Sequence, residues 1–363
     1  MSCSSAASSS RSGRATSRAN AAALARDVSR PDLLLLAALL HDIGKGWPGD
    51  HSVSGEVVAR DVCKRLGLSE ADVRLVADAV RHHLLLPVVA TRRDLDDPMT
   101  VEHVATTVSG SRTLLELLHA LAIADGLATG PAAWNDWKEG LVGDLVRRVE
   151  SRLAGEPPPE PLPLRPDQAA LAEQGGPAAR VTGSEVTMVA PDRPGLLWQA
   201  AGVLASHRLA VRSANATSHG TMAVAAFTVA PEFGDPPDAE LVSSDLRRAL
   251  EGRLDVAERL ERRMRAYRES PVPVPVAPPK VTLLDDASRT ATVVEVRAHD
   301  APGLLWRIGR ALGDCGLDVR AARVETLGAE AVDVFYVVDT SGGPIGGSRI
   351  RGKIAAQVLA ALA

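Results

Sequence analysis

The chain has 363 residues, with 41 Lys and Arg against 45 Asp and Glu and a net charge of −4. That balance offers no basic stripe for a nucleic acid. The longest apolar run, Leu33 to Leu40, is far short of the ~20 residues of a membrane span. Aromatic residues make up only 3%, so the cores must be built from Ala, Val and Leu.

Residues 1–20 carry eight Ser, three Arg and no acid, too little apolar surface to offset chain entropy, and are expected to be disordered. Residues 21–154 read as helices. Pro31 suits a first helical position and opens a helix through LLLLAALL to His41. Ser54–Leu66, closed by Gly67, follows. Ser69 with Asp72 makes a capping-box-like start for a helix reaching His82 and His83, with Pro87 beyond it. Thr100–Val108, Ser111–Leu127 and Trp134–Leu153 complete an all-α block.

Residues 155–180 hold seven prolines and read as a stiff linker, and PVPVPVAPP at 271–279 reads as a second. Between and after them one module occurs twice. DRPGLLW at 192–198 matches DAPGLLW at 300–306, and the offset of 108 continues ungapped through Val211/Val319, Arg212/Arg320, Ala214/Ala322, Phe227/Phe335 and Val229/Val337. The first copy, 181–285, reads as strand, helix, two strands, a long helix over Asp238–Tyr267 and a closing strand Lys280–Leu284. That is the ferredoxin-like βαββαβ order. The second, 290–363, ends on the helix Ser348–Leu362. The expected fold class is an all-α domain followed by two α+β domains. Cys3, Cys63 and Cys315 form no CxxC pair, which fits a reducing cytoplasm and excludes a thiolate zinc site or a disulfide scaffold.

Chemistry concentrates in the helical block. His41 and Asp42 end an apolar helix, and Lys45 follows in Ile-Gly-Lys-Gly. His51, the His82–His83 pair and Asp125, set in an apolar Ala-Ile-Ala-Asp-Gly stretch, complete the set. Imidazoles mixed with carboxylates suit a divalent metal, with Mg or Mn expected first and Zn or Fe after them. An acid in an apolar stretch needs a partner. In each repeat the Asp-x-Pro-Gly-Leu turn (Asp192, Gly195, Leu196; Asp300, Gly303, Leu304) offers free helix N–H groups to an anion and a carboxylate to an ammonium. The plainer reading of the same turn is a Pro-Gly bend with Asp as helix cap. Trp198 and Trp306 read as packing residues, and Arg212 and Arg320 as solvated strand-end charges.

The HDxxK pattern with its later histidines and aspartate resembles the HD superfamily of metal-dependent phosphohydrolases. LLLLAALLHDIGKGWPGDHS, VRHHLLLPVVATRRDLDDP and AIADGLATGPAAWNDWK, followed by two DxPGLL modules, resemble the bifunctional uridylyltransferase/uridylyl-removing enzymes of the PII nitrogen-regulatory protein, whose C-terminal part is an HD domain with two ACT domains. The resemblance covers residues 24–345. It implies that His41, Asp42 and Asp125 are core metal ligands, with His51 and His82 as further histidines. His83 stands beside or substitutes for His82, and Lys45 steadies negative charge. It also implies hydrolysis of the bond joining UMP to a PII tyrosine and control by glutamine at the ACT modules. Two ferredoxin-like units can pair their sheets edge to edge, either within one chain or between chains as a homo-oligomer. The family's nucleotidyltransferase motifs have no counterpart here, nor does its first histidine, because no histidine precedes His41. Transferase activity is therefore not expected of this chain. The alternatives are a catalytically impaired glutamine-sensing regulator and an HD phosphohydrolase acting on a small nucleotide.

Overall fold

A computed structural model describes residues 26–130, 134, 136–157, 164–235, 237–268, 277–284, 287–327 and 329–362. The Ser-rich start and most of the second proline spacer lie outside them. The chain divides into two compact units, one up to residue 160 without 92–94, the other formed by 92–94 and 161 onward.

The first unit contains helices α1 (Pro31–Leu40), α2 (His51–Arg65), α3 (Glu70–Arg81), α4 (Leu85–Arg92), α5 (Pro98–Thr107), α6 (Arg112–Thr129) and α7 (Asp136–Leu153). Capping sets the starts. Asp50, Ser69, Asp97 and Ser111 each accept a backbone N–H of the first turn, from Ser52, Asp72, Met99 and Leu114. Helix α4 goes beyond the sequence expectation. Its Pro87 lies in the first turn, where no N–H is needed for the ladder. Helix α6 buries Leu114, Leu115, Leu117, Leu118 and Leu121 and packs against α1, α3 and α7. A helix buried on most sides is apolar on most sides. Among the described residues the core is aliphatic but for Cys63 and Trp134, and Trp134 sits on Gly126 ahead of α7 rather than inside it.

The second unit opens with α8 (Pro166–Glu173), inside the span expected to be linker. Strands β1 (Ala178–Thr182), β2 (Glu185–Pro191), β3 (Leu209–His219) and β4 (Met222–Pro231) surround helix α9 (Leu196–Ser206). The expected long helix is two, α10 (Ala239–Leu250) and α11 (Val256–Arg268), parted where Gly252 adopts φ +70°. The second module has β5 (Lys280–Leu284), β6 (Thr292–His299), α12 (Leu304–Asp314), β7 (Asp318–Leu327), β8 (Glu330–Val338) and α13 (Ser348–Leu362).

All eight strands form one antiparallel sheet in the order β1-β2-β4-β3-β7-β8-β6-β5. The closing strand differs from expectation. β5 pairs with β6 of the second module, not with the first, and β1 takes the matching place beside β2. Short links favour sequence neighbours as sheet neighbours. The β1–β2 turn is the two residues Gly183–Ser184, with Gly183 at φ +58°. Each module keeps the sheet positions of a βαββαβ unit but receives its outer strand from the N-terminal side.

The modules join within one chain through β3 and β7, with Ala214 opposite Ala322. This pairing removes two open edges. Behind it, Trp198 of α9 and Trp306 of α12 meet edge to face at 6.3 Å, Trp306 against Gly202 and Trp198 against Gly309. The tryptophans are packing residues, as read from the sequence. No helix among the described residues is long and apolar enough to cross a membrane.

Candidate metal centre and loop sites

Helix α1 ends at Leu40, and the chain turns through His41–Trp47 before α2 begins at His51. Gly44 makes that turn possible. A Cβ there would lie 2.0 Å from the His51 carbonyl oxygen and 2.6 Å from the Gly55 nitrogen. The turn is thereby pressed against the start of α2, bringing His51 beside Asp42. Gly44→Ala is expected to push these ligands apart and weaken Mn²⁺ binding by about 10–100-fold, the range for disturbing the supports of a metal site. Calorimetric titration of Mn²⁺ into the variant reads this directly.

Asp42, His51 and His83 present ligand atoms all within 4.8 Å of one another. His51 Nε2 is 3.3 Å from His83 Nε2, and Asp42 Oδ1 is 3.8 and 3.9 Å from those two nitrogens. His41 Nε2 lies 3.3 Å from Asp42 Oδ2 and 3.5 Å from Asp125 Oδ1, so α6 brings its acid to the same cluster. His82 does not join. It caps α3 on the side of Asp78, and the adjacent His83 occupies the place.

The tautomers are set by the backbone. His41 Nδ1 lies 2.8 Å from the Ala38 carbonyl oxygen and His83 Nδ1 2.7 Å from that of Val80. A carbonyl only accepts, so each Nδ1 carries a hydrogen, which in the neutral ring leaves the lone pair on Nε2, the arrangement of a metal-ligating histidine. His41 Nε2 is buried without a hydrogen-bond partner. Burial, chiefly, lowers the His83 pKa and favours its neutral form. At Asp42 burial works against the carboxylate, but the Lys45 ammonium at 2.5 Å helps to outweigh it and hold the carboxyl below its usual range. The hydrogen bond to Asp42 raises the Lys45 pKa, and the side chain is 64% exposed, so its charge faces outward. Imidazole nitrogens, one of them orphaned, gathered around the Asp42 and Asp125 carboxyl groups are the donor set for a divalent cation.

In the second unit Gly195 (φ +92°) and Gly303 (φ +75°) stand at the N-caps of α9 and α12 in the left-handed conformation. The aspartates therefore do not cap these helices. Asp192 accepts from the Ser218 hydroxyl at 2.8 Å and Asp300 from Thr326 at 3.4 Å. Leu196 and Leu304 are buried in the core beneath the loops. The two loops differ in one respect. The Gly195 N–H donates to Asp318 of the other module at 3.1 Å, whereas position 210, which the repeat aligns with 318, is alanine.

Comparison with known proteins matches the HD domain to residues 18–130 and the ACT domain to residues 292–345. The bifunctional uridylyltransferase/uridylyl-removing enzyme of Streptomyces coelicolor is 48% identical over 381 aligned residues, covering 90% of this chain and 45% of that protein. Its counterpart in Mycobacterium tuberculosis H37Rv is 46% identical, covering 88% and 42%. The chain carries an HD domain and an ACT domain and is similar over about nine tenths of its length to part of these enzymes. It spans less than half the length of these relatives and matches their C-terminal part. The HD match contains every residue of the histidine and aspartate cluster, and the ACT match contains the second loop.

Proposed function

We propose that the chain is a metal-dependent phosphodiesterase of the uridylyl-removing kind. It frees UMP from the tyrosine of uridylylated PII protein and answers to glutamine through its tandem ACT modules. The observation that carries this reading is the pair of backbone-fixed imidazoles, His41 and His83, aimed with His51 at the Asp42 carboxylate.

His41, Asp42, His51, His83 and Asp125 would hold the cation, and a donor set this rich in imidazole favours Mn²⁺ over Mg²⁺. A cation bound there acidifies a water and polarises a phosphoryl oxygen. Lys45, exposed beside Asp42, orients the substrate phosphate and offsets charge as the bond to the tyrosyl oxygen breaks. The Ala38 carbonyl, which receives the Nδ1 hydrogen, holds the His41 ring with Nε2 toward Asp42 and Asp125.

The test is incubation of the purified chain with uridylylated PII and Mn²⁺, with and without glutamine, following UMP release. Release that glutamine alters supports the reading. No release, with glutamine still bound, supports a sensor without catalysis. Release from free nucleotides but not from PII supports a small-nucleotide hydrolase.

A further inference from the structure

The repeat makes two related cavities at the junction of the modules, and they are not alike. The first, about 240 Å³, lies at the Asp192–Pro194 turn and is lined also by Asp318 and Arg320. The second, about 690 Å³, lies at the Asp300–Leu304 turn and is lined also by Ala210, Arg212 and Asp333.

In the first cavity the protein supplies its own anion. Asp318 Oδ1 receives the Gly195 N–H at 3.1 Å, and Oδ2 lies 3.6 Å from Arg320 Nε. A carboxylate held by a helix N-terminus and a guanidinium is the way an amino acid's carboxylate is bound. Arg320 reaches this place from a β-bulge, because the β7–β8 register shifts between Val319 and Ala321. Arg212 sits at the same bulge in β3, between Val211 and Ser213. Bulges of this kind re-aim a side chain. The second cavity thus repeats the glycine turn and the bulged arginine but has Ala210 where the carboxylate would be.

The second cavity also holds a group the first lacks. Asp333 is 1% exposed, and its Oδ1 has no hydrogen-bond partner. The matching residue of the first module is Ala225, fully buried in the same core, so the fold does not require an acid there. A buried unpaired carboxyl is costly, and this one lines an open cavity beside Asp300.

We infer that the second cavity is the single amino-acid site of the tandem. The ligand's carboxylate takes at Gly303 and Arg212 the place that Asp318 takes at Gly195 and Arg320, its ammonium meets Asp333 and Asp300, and Asp318 keeps the twin cavity shut. This rests on reading the tandem as an amino-acid sensor and adds which cavity serves and through which residues.

Calorimetric titration of the full chain with glutamine, and then with the other standard L-amino acids, tests it. One ligand per chain is expected. Asp333→Asn, close in shape, is expected to weaken binding at least tenfold. Ala210→Asp, which puts a carboxylate at the position Asp318 holds in the twin, is expected to abolish it with the circular dichroism spectrum unchanged. Two ligands per chain, undiminished binding in both variants, or no binding of any L-amino acid would overturn the inference. Binding without hydrolysis of uridylylated PII leaves the pocket standing and removes the catalytic reading. Hydrolysis with no amino acid bound does the reverse.

Discussion

His83→Ala is expected to lower Mn²⁺ affinity and phosphodiester hydrolysis by at least ~100-fold, since disturbing even the outer partners of a metal ligand costs 10–100-fold. His82→Ala, one residue away, is expected to change either by less than about threefold, as befits a residue outside the cluster. The contrast follows from helix geometry. The end of α3 turns His83 inward to His51 Nε2 at 3.3 Å, with Nδ1 anchored on the Val80 carbonyl, while His82 faces Asp78. His83 is almost fully buried, so its removal leaves a cavity lined by His41, His51 and Asp42. Retained metal mass after dialysis and hydrolysis of bis(p-nitrophenyl) phosphate separate a lost ligand from general damage. Equal losses in the two variants would return His82 to the site.

How far the sequence reached depended on the range of the interaction that fixes each feature. Helix starts were legible because caps are local. Ser69 and Ser111 announce α3 and α6, and the structure places the helices one residue later. The duplication was legible because a constant offset needs no knowledge of the fold. The partner of Lys280–Leu284 was not, because it is set by tertiary pairing, and the same pattern satisfies either edge. Helix α8 was hidden by prolines on either side. Its Leu171 and Ala172 declare themselves only against Val189 and Val224 across the sheet. In the candidate site, His41, Asp42, His51 and Asp125 were legible from spacing. Choosing between His82 and His83 needed the direction of each ring. Arg212 and Arg320 were read as solvated charges, although their bulges turn both into cavity walls. Asp333 and Asp318 were missed, although the signal was present. The offset of 108 puts Ala225 and Ala210 opposite them, and an acid replacing alanine in a repeated core calls for an explanation.

Asp333→Ala is expected to stabilise the protein at neutral pH by about 1–3 kcal/mol, the usual penalty of a buried unsatisfied polar group. Burial, with Asp300 adding to it, raises the Asp333 carboxyl well above its ordinary range in the folded state. In the unfolded chain it titrates near pH 4, at about 3.9. Above that pH the unfolded state releases a proton that the folded state retains. The unfolded state then binds fewer protons, and stability declines as pH rises. Below about pH 4 both states are protonated and the pH-linked part of the penalty disappears. The gain in Asp333→Ala should therefore be larger at pH 7 than near pH 4, where the protonated carboxyl still lacks a partner but no longer costs a retained proton. Ala225 shows that the sheet accepts alanine at this position. Urea unfolding of the intact chain at the two pH values, with hydrogen exchange of the β8 amides to locate the change, measures it. A variant less stable than the parent at pH 7 would mean that the acid holds the module together. A more stable variant that no longer binds amino acids would mean that the chain carries the acid for its ligand, at the expense of its fold.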